Sequence, residues 1–100
     1  MNKNEPFKIF IAIFLVLIKD GQVLLLKRTN TGYQDGKYGL VAGHLEESET
    51  ARQGIIREAK EEAGITLKPA DLEVVHVMHR YGSDREYIDI HLKTKFDSRI

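Results

Sequence analysis

Gly43-His44-Leu45-Glu46-Glu47-Ser48-Glu49, followed by Arg57-Glu58-Ala59-Lys60-Glu61-Glu62-Ala63-Gly64-Ile65, is the stretch whose spacing decides the fold. It reads as a glycine loop leading into a helix over 49–63. Ser48 is the predicted N-cap and Gly64 the residue just past the C-terminus, both common choices at those places. At about 3.6 residues per turn, Glu58, Glu61 and Glu62 fall within an arc of roughly 100°. Ala51, Ile55, Ile56, Ala59 and Ala63 fill the neighbouring arc and read as the buried stripe. Like charges three or four residues apart destabilise a helix by about 0.2–0.5 kcal/mol each. These acids also stand in the C-terminal half, the wrong end for the helix dipole. Stability alone does not place them there. A hard divalent cation relieves the repulsion, and oxygen donors suit Mg²⁺ or Mn²⁺.

This loop and helix resemble the Nudix box, the signature of hydrolases acting on nucleoside diphosphates linked to another moiety. Gly43, Glu49, Arg57, Glu58, Ala59, Glu61, Glu62, Gly64 and Ile65 fill every fixed slot of that pattern, with Ala59 a small version of the aliphatic one. Two departures lie beside the fixed slots. Ala42 stands where many members carry a second Gly, and Ser48 where Gly often precedes the first Glu. Neither removes a carboxylate, but both stiffen the loop if it needs positive φ.

The resemblance implies an α/β fold, an α/β/α sandwich around a mixed sheet. It implies that Glu58 and Glu62 ligate metal directly and that Glu61 ligates or acts as base. The backbone carbonyl of Ala42 or Gly43 is the other implied ligand. Arg57 is expected to orient the catalytic carboxylates, as a planar guanidinium fork suits, and Glu49 to tie that Arg to the loop. Arg28 is the implied phosphate contact. His44, inside the loop, and His79, near a strand end, are the further candidates for substrate contact.

Around this core the composition sets bounds. One hundred residues make a single small domain, expected to span 1–100. Fifteen basic and fifteen acidic side chains give zero formal charge, so electrostatics lends no support to a nucleic-acid partner. The absence of Cys excludes thiolate metal sites, disulfides and cysteine nucleophiles, and agrees with a cytoplasmic setting. The apolar run Ile9–Ile18 is shorter than the roughly 20 residues that cross a bilayer. It is followed by Asp20-Gly21, a two-residue hairpin signal, and not by a small-residue cleavage site, so it reads as a buried strand and no membrane partner is expected.

Strands are predicted at about 7–18, 22–28, 38–41, 72–80 and 86–96, with a polar loop over 29–37 and a break at Pro69. Family members usually continue into a second helix that covers the other sheet face. That helix is expected to lie outside this chain, leaving the face to residues after Ile100 or to a second copy in a homodimer. The remaining histidines, His76 and His91, lie on strands, where a lone His is more often a packed or exposed neutral side chain than a ligand. The function expected from the resemblance is Mg²⁺-dependent hydrolysis of a diphosphate linkage, with a nucleoside triphosphate going to monophosphate and pyrophosphate. The alternative is a nucleotide-sensing or partner-binding module without turnover, whose usual mark, loss of box carboxylates, is missing here.

Overall fold

A computed structural model describes residues 6–27 and 35–95. The long apolar run forms β1 (Phe10–Lys19), and Asp20 and Gly21 turn it back with φ of 51° and 76°. Positive φ at both central residues matches the twist of a two-residue hairpin. The return is brief. β2 (Gln22–Val23) pairs with Ile18 and Lys19, and the chain then leaves the sheet. β3 (Leu26–Lys27) pairs with β4 (Tyr38–Gly39) in a separate small ladder. The continuous strand predicted at 22–28 is therefore broken. Its cause is competition, because β5 (Val41–His44) pairs antiparallel with Ala12–Leu15 and occupies the rest of that edge of β1. A strand edge has one set of N–H and C=O groups to offer.

On its other side β1 runs parallel to β7 (Glu86–Lys95), which pairs antiparallel with β6 (Glu73–Tyr81). The sheet order is β5 and β2 beside β1, then β7, then β6 at the edge. It is the mixed sheet expected. Side chains alternate in register, so Ile11, Ile13, Leu15 and Leu17 share one face with Gly43, Val41, Ile90 and Leu92.

That face is covered by α1 (Ala51–Ala63), through Ile55 and Ala59, both fully buried, and through the partly buried Ala51, Ile56 and Ala63. Gly54 lets the helix come close. A Cβ there would meet Ile13 Cδ1 at 2.6 Å and Leu45 Cδ1 at 2.7 Å. Leu67 and Leu72, on either side of a 3-10 turn at Pro69–Asp71, complete the same core. The 64–71 segment thus closes the helix side, not the opposite face.

The helix begins two residues later than predicted. Ser48 has φ 64° and cannot serve as an N-cap, which needs extended backbone. Thr50 takes that role with φ −77° and ψ 162°, in a reciprocal capping box with Gln53. The C-terminus closes as expected, with Gly64 left-handed at φ 67°. Its N–H and that of Ile65 donate to the carbonyls of Lys60 and Ala59.

α1 packs mainly on β5 and β1 and less on β7. Val74, Val75, Val77 and Met78 of the edge strand β6 are 40–57% exposed. The face turned away from α1 is mixed in character. It carries Tyr87, the buried Asp89, His91 and Lys93 from β7 beside Phe10, Phe14 and Ala12 from β1. Replacing Thr50 by Ala removes the side-chain acceptor of the N-cap. A loss of about 1 kcal/mol is expected, seen as a melting temperature lower by about 4–8 °C. An unchanged melting temperature would show that the first turn is held by the Glu49 contacts alone.

Candidate active site

Arg57 is the residue around which the site is built. Its Nε donates to Glu49 Oε2 at 2.8 Å and its Nη2 to Glu49 Oε1 at 3.0 Å, a two-pronged pair. The same Nη2 donates to the backbone carbonyl of His44 at 3.1 Å. Nη1 donates to Glu58 Oε1 at 2.6 Å and to Glu61 Oε2 at 3.4 Å, and stands 3.5 Å from Glu46 Oε1. One guanidinium thereby joins the end of β5, the loop and two turns of α1.

The contacts are unequal. The Glu49 and Glu58 side chains are 13% and 12% exposed, against 59% for Glu61 and 65% for Glu46. Exposed ion pairs contribute about 0.2–1 kcal/mol, so Glu61 and Glu46 add little to stability. Glu49 is held from two directions, since its Oε1 also accepts the Glu46 N–H at 3.0 Å. The Arg57 hydrogen bonds, and next the Glu46 N–H, keep its carboxyl below its ordinary value of 4.5. The same bonds, Glu49 foremost, raise Arg57 and fix it as a cation.

Gly43 needs its missing side chain for steric reasons. A Cβ there would collide with the Glu58 carboxyl group, so the loop backbone and this carboxylate approach as closely as they do only because the residue is glycine. Its φ is not positive, nor is that of Ala42. The Ala42 departure from the family pattern therefore carries no backbone strain. The Ser48 departure does, at φ 64°.

Of the predicted site residues, Glu49, Arg57, Glu58 and Glu61 are gathered at the loop, with the backbones of Ala42 and Gly43 beside them. Glu62 is on the same helix and solvent-exposed. Among the described residues no three acidic, His or Cys side chains converge as a ready metal cage, because Arg57 draws Glu58 and Glu61 to itself. The donors are hard oxygens, and Gly43 is a cradle that a side chain would fill, so the site fits a hard divalent cation in donor type and in place.

His44 divides the two sides of the sheet. Its carbonyl belongs to the Arg57 network, while its ring lies with Phe10 at 6.1 Å and Tyr87 at 5.8 Å on the far face. His79 is not brought to the carboxylates. It sits on β6, with Nε2 2.7 Å from Glu86 Oε2. Arg28 lies outside the described residues. Sequence reasoning missed Glu46, the His44 carbonyl and Gly54. It also missed the pairing of Arg80 with Asp89, at 2.6 and 3.0 Å, and the stacking of Arg80 on Tyr87, 4.1 Å from the ring centre. Those contacts depend on cross-strand register, for which no local signal exists; only Gly54, a glycine inside a helical pattern, could have been noticed.

A NUDIX domain model matches residues 8–98. The chain belongs to the Nudix family. It is 36% identical over 62 residues to an ADP-ribose pyrophosphatase of Methanocaldococcus jannaschii, covering 62% of this chain and 36% of that protein. To a CTP pyrophosphohydrolase of Escherichia coli it is 33% identical over 69 residues, or 69% of this chain and 51% of the relative. The chain thus spans only about a third to a half of the length of these Nudix relatives. The crystal structure of a MutT/nudix family protein from Enterococcus faecalis superposes with a TM-score of 0.81 at 19% identity, over 96% of this chain and 40% of that one, a likeness of fold. Within this Nudix domain no described helix is long and apolar enough to cross a membrane.

Glu49 gives a test by pH. Its folded pKa is depressed, so its stabilisation is complete above the unfolded value and disappears as pH falls through the folded one. The melting-temperature gap between the parent and Glu49→Gln should be constant from neutrality down to about pH 5 and shrink below it. A gap independent of pH would mean that the Glu49 charge does not hold Arg57.

Proposed function

We propose that this domain hydrolyses a diphosphate linkage in a nucleoside diphosphate derivative, with Mg²⁺ bound by the acid cluster (Mn²⁺ is the substitute its donors also suit). The observation that carries this reading is the convergence of Glu49, Glu58 and Glu61 on Arg57 beside the Gly43 backbone. In it, Glu58, Glu61, Glu62 and the carbonyl of Ala42 or Gly43 hold the metal. When bound, the cation supplies charge neutralisation on the phosphoryl oxygens and lowers the pKa of water. The chain's own part is placement. Arg57, saturated by Glu49, keeps Glu58 and Glu61 at the mouth of the loop, and Glu61, the more exposed, is the base that takes a proton from attacking water. Preorganised charge of this kind is the main resource in phosphoryl transfer.

A nucleoside triphosphate, cleaved to monophosphate and pyrophosphate, is the substrate we favour. The E. coli relative is named for CTP, although the archaeal one is named for ADP-ribose. The rings of Phe10, His44 and Tyr87, on the far face but at the strand ends beside the loop, support a planar group of a substrate that reaches round that end of the sheet. A cavity of about 480 Å³ lies beside it, with Phe7, Phe10, Tyr81, Lys8 and Arg85 in its wall, and offers room for one. His44 is then the substrate contact next to the cluster, while His79 serves only a substrate long enough to reach β6.

The test is a panel of nucleoside triphosphates, nucleotide sugars, ADP-ribose and dinucleoside polyphosphates incubated with Mg²⁺, products being separated by chromatography. Triphosphates should turn over fastest. In Glu62→Gln, kcat should fall at least about 100-fold with the fold retained, the scale of losing a principal charge-stabilising group. Near-normal turnover in that variant would overturn the assignment of the site.

A further inference from the structure

On the sheet face turned away from α1, His76 of β6 and His91 of β7 are direct cross-strand partners, next to the bulge that follows Val74. Their ring centres are 5.5 Å apart and the planes are inclined by 63°. His91 lies flat on Phe14 of β1, at 4.6 Å and 11°, which fixes its plane. Its Nδ1 is buried and has no hydrogen-bond partner, an uncommon condition for a buried nitrogen. Burial, and then the neighbouring His76, keep the His91 ring below its ordinary 6.5 against the pull of Asp89. Arg80 is paired with Asp89, and Lys93 stands opposite Glu73 in the strand register.

We propose that His76 and His91 form a clip for one borderline divalent transition metal, of the Zn²⁺, Ni²⁺ or Cu²⁺ type, on the opposite face of the sheet from the carboxylates. The spacing supports this. Two imidazoles that share an ion at about 2.0–2.1 Å place their ring centres about 3.2 Å from it, and so about 4.5–5.2 Å apart. The observed 5.5 Å lies just beyond that range, and His76, exposed at the sheet edge, is the ring that must move to close it. Neutral imidazole is the ligand such metals favour, whereas Mg²⁺ prefers oxygen, so the two faces select different ions. Met78, the next residue of β6 on this face, offers a thioether at the edge of the pair. With no third His, Cys or acid joining the pair among the described residues, water completes the coordination and the ion stays exchangeable.

The experiment is calorimetric titration of the chain with Ni²⁺, and separately with Zn²⁺, in excess Mg²⁺ that keeps the carboxylates occupied. One ion per chain is expected. His76→Ala and His91→Gln should each weaken binding at least about tenfold, since even loss of a ligand's supporting partner costs that much, while His79→Ala leaves it unchanged. If His91→Gln fails to fold, the exposed His76 decides alone. Equal affinity in parent and His76→Ala, or no heat of binding in the parent, would overturn the proposal.

Discussion

The rest of this structure depends on a single guanidinium. Arg57 takes two oxygens of Glu49, one each of Glu58 and Glu61, and the carbonyl at the end of β5. Without that cation the second half of α1 and the loop before the helix would present four carboxylates to one another, a repulsion the helix dipole does not offset. The residue is thus a structural clasp and the organiser of the charge that chemistry needs. Its position one turn before Glu61 and two turns after Glu49 lets a single side chain reach both ends of the motif.

A second constraint is the single free edge of β1. Val41–His44 takes the part of that edge nearest the N-terminus of the strand, which brings Gly43 under the helix and delivers the loop to Arg57. The hairpin partner is left with two residues of pairing. Placement of the site and shortening of β2 are the same event. Gly54 and Gly43 complete it, one admitting Ile13 and Leu45 against the helix, the other admitting the Glu58 carboxylate against the loop.

Much of this was legible in the sequence. The apolar period of Ile55, Ile56 and Ala59, the left-handed stop at Gly64 and the Asp20-Gly21 turn each act over a few residues, and each was placed correctly. The N-cap was misplaced because Ser48 and Thr50 are both good capping residues. The choice between them is made by the left-handed backbone at Ser48, which serves the loop. The broken second strand and the register that sets Arg80 on Tyr87 and Asp89 come from pairing between distant segments, which no local pattern records. Apolar residues on both faces of the strand predicted at 72–80 suggest a sheet covered twice, yet α1 packs mainly on β5 and β1. The same strand's exposed valines and its two histidines follow from that placement.

The clasp can be tested apart from turnover, by measuring Mn²⁺ affinity in Arg57→Gln against the parent. If Arg57 organises the acids toward the loop, its loss should weaken Mn²⁺ binding by about tenfold or more, although a competing positive charge has been removed. Equal or tighter binding in Arg57→Gln would contradict the account, and would show the guanidinium to be only a rival of the metal for the same carboxylates.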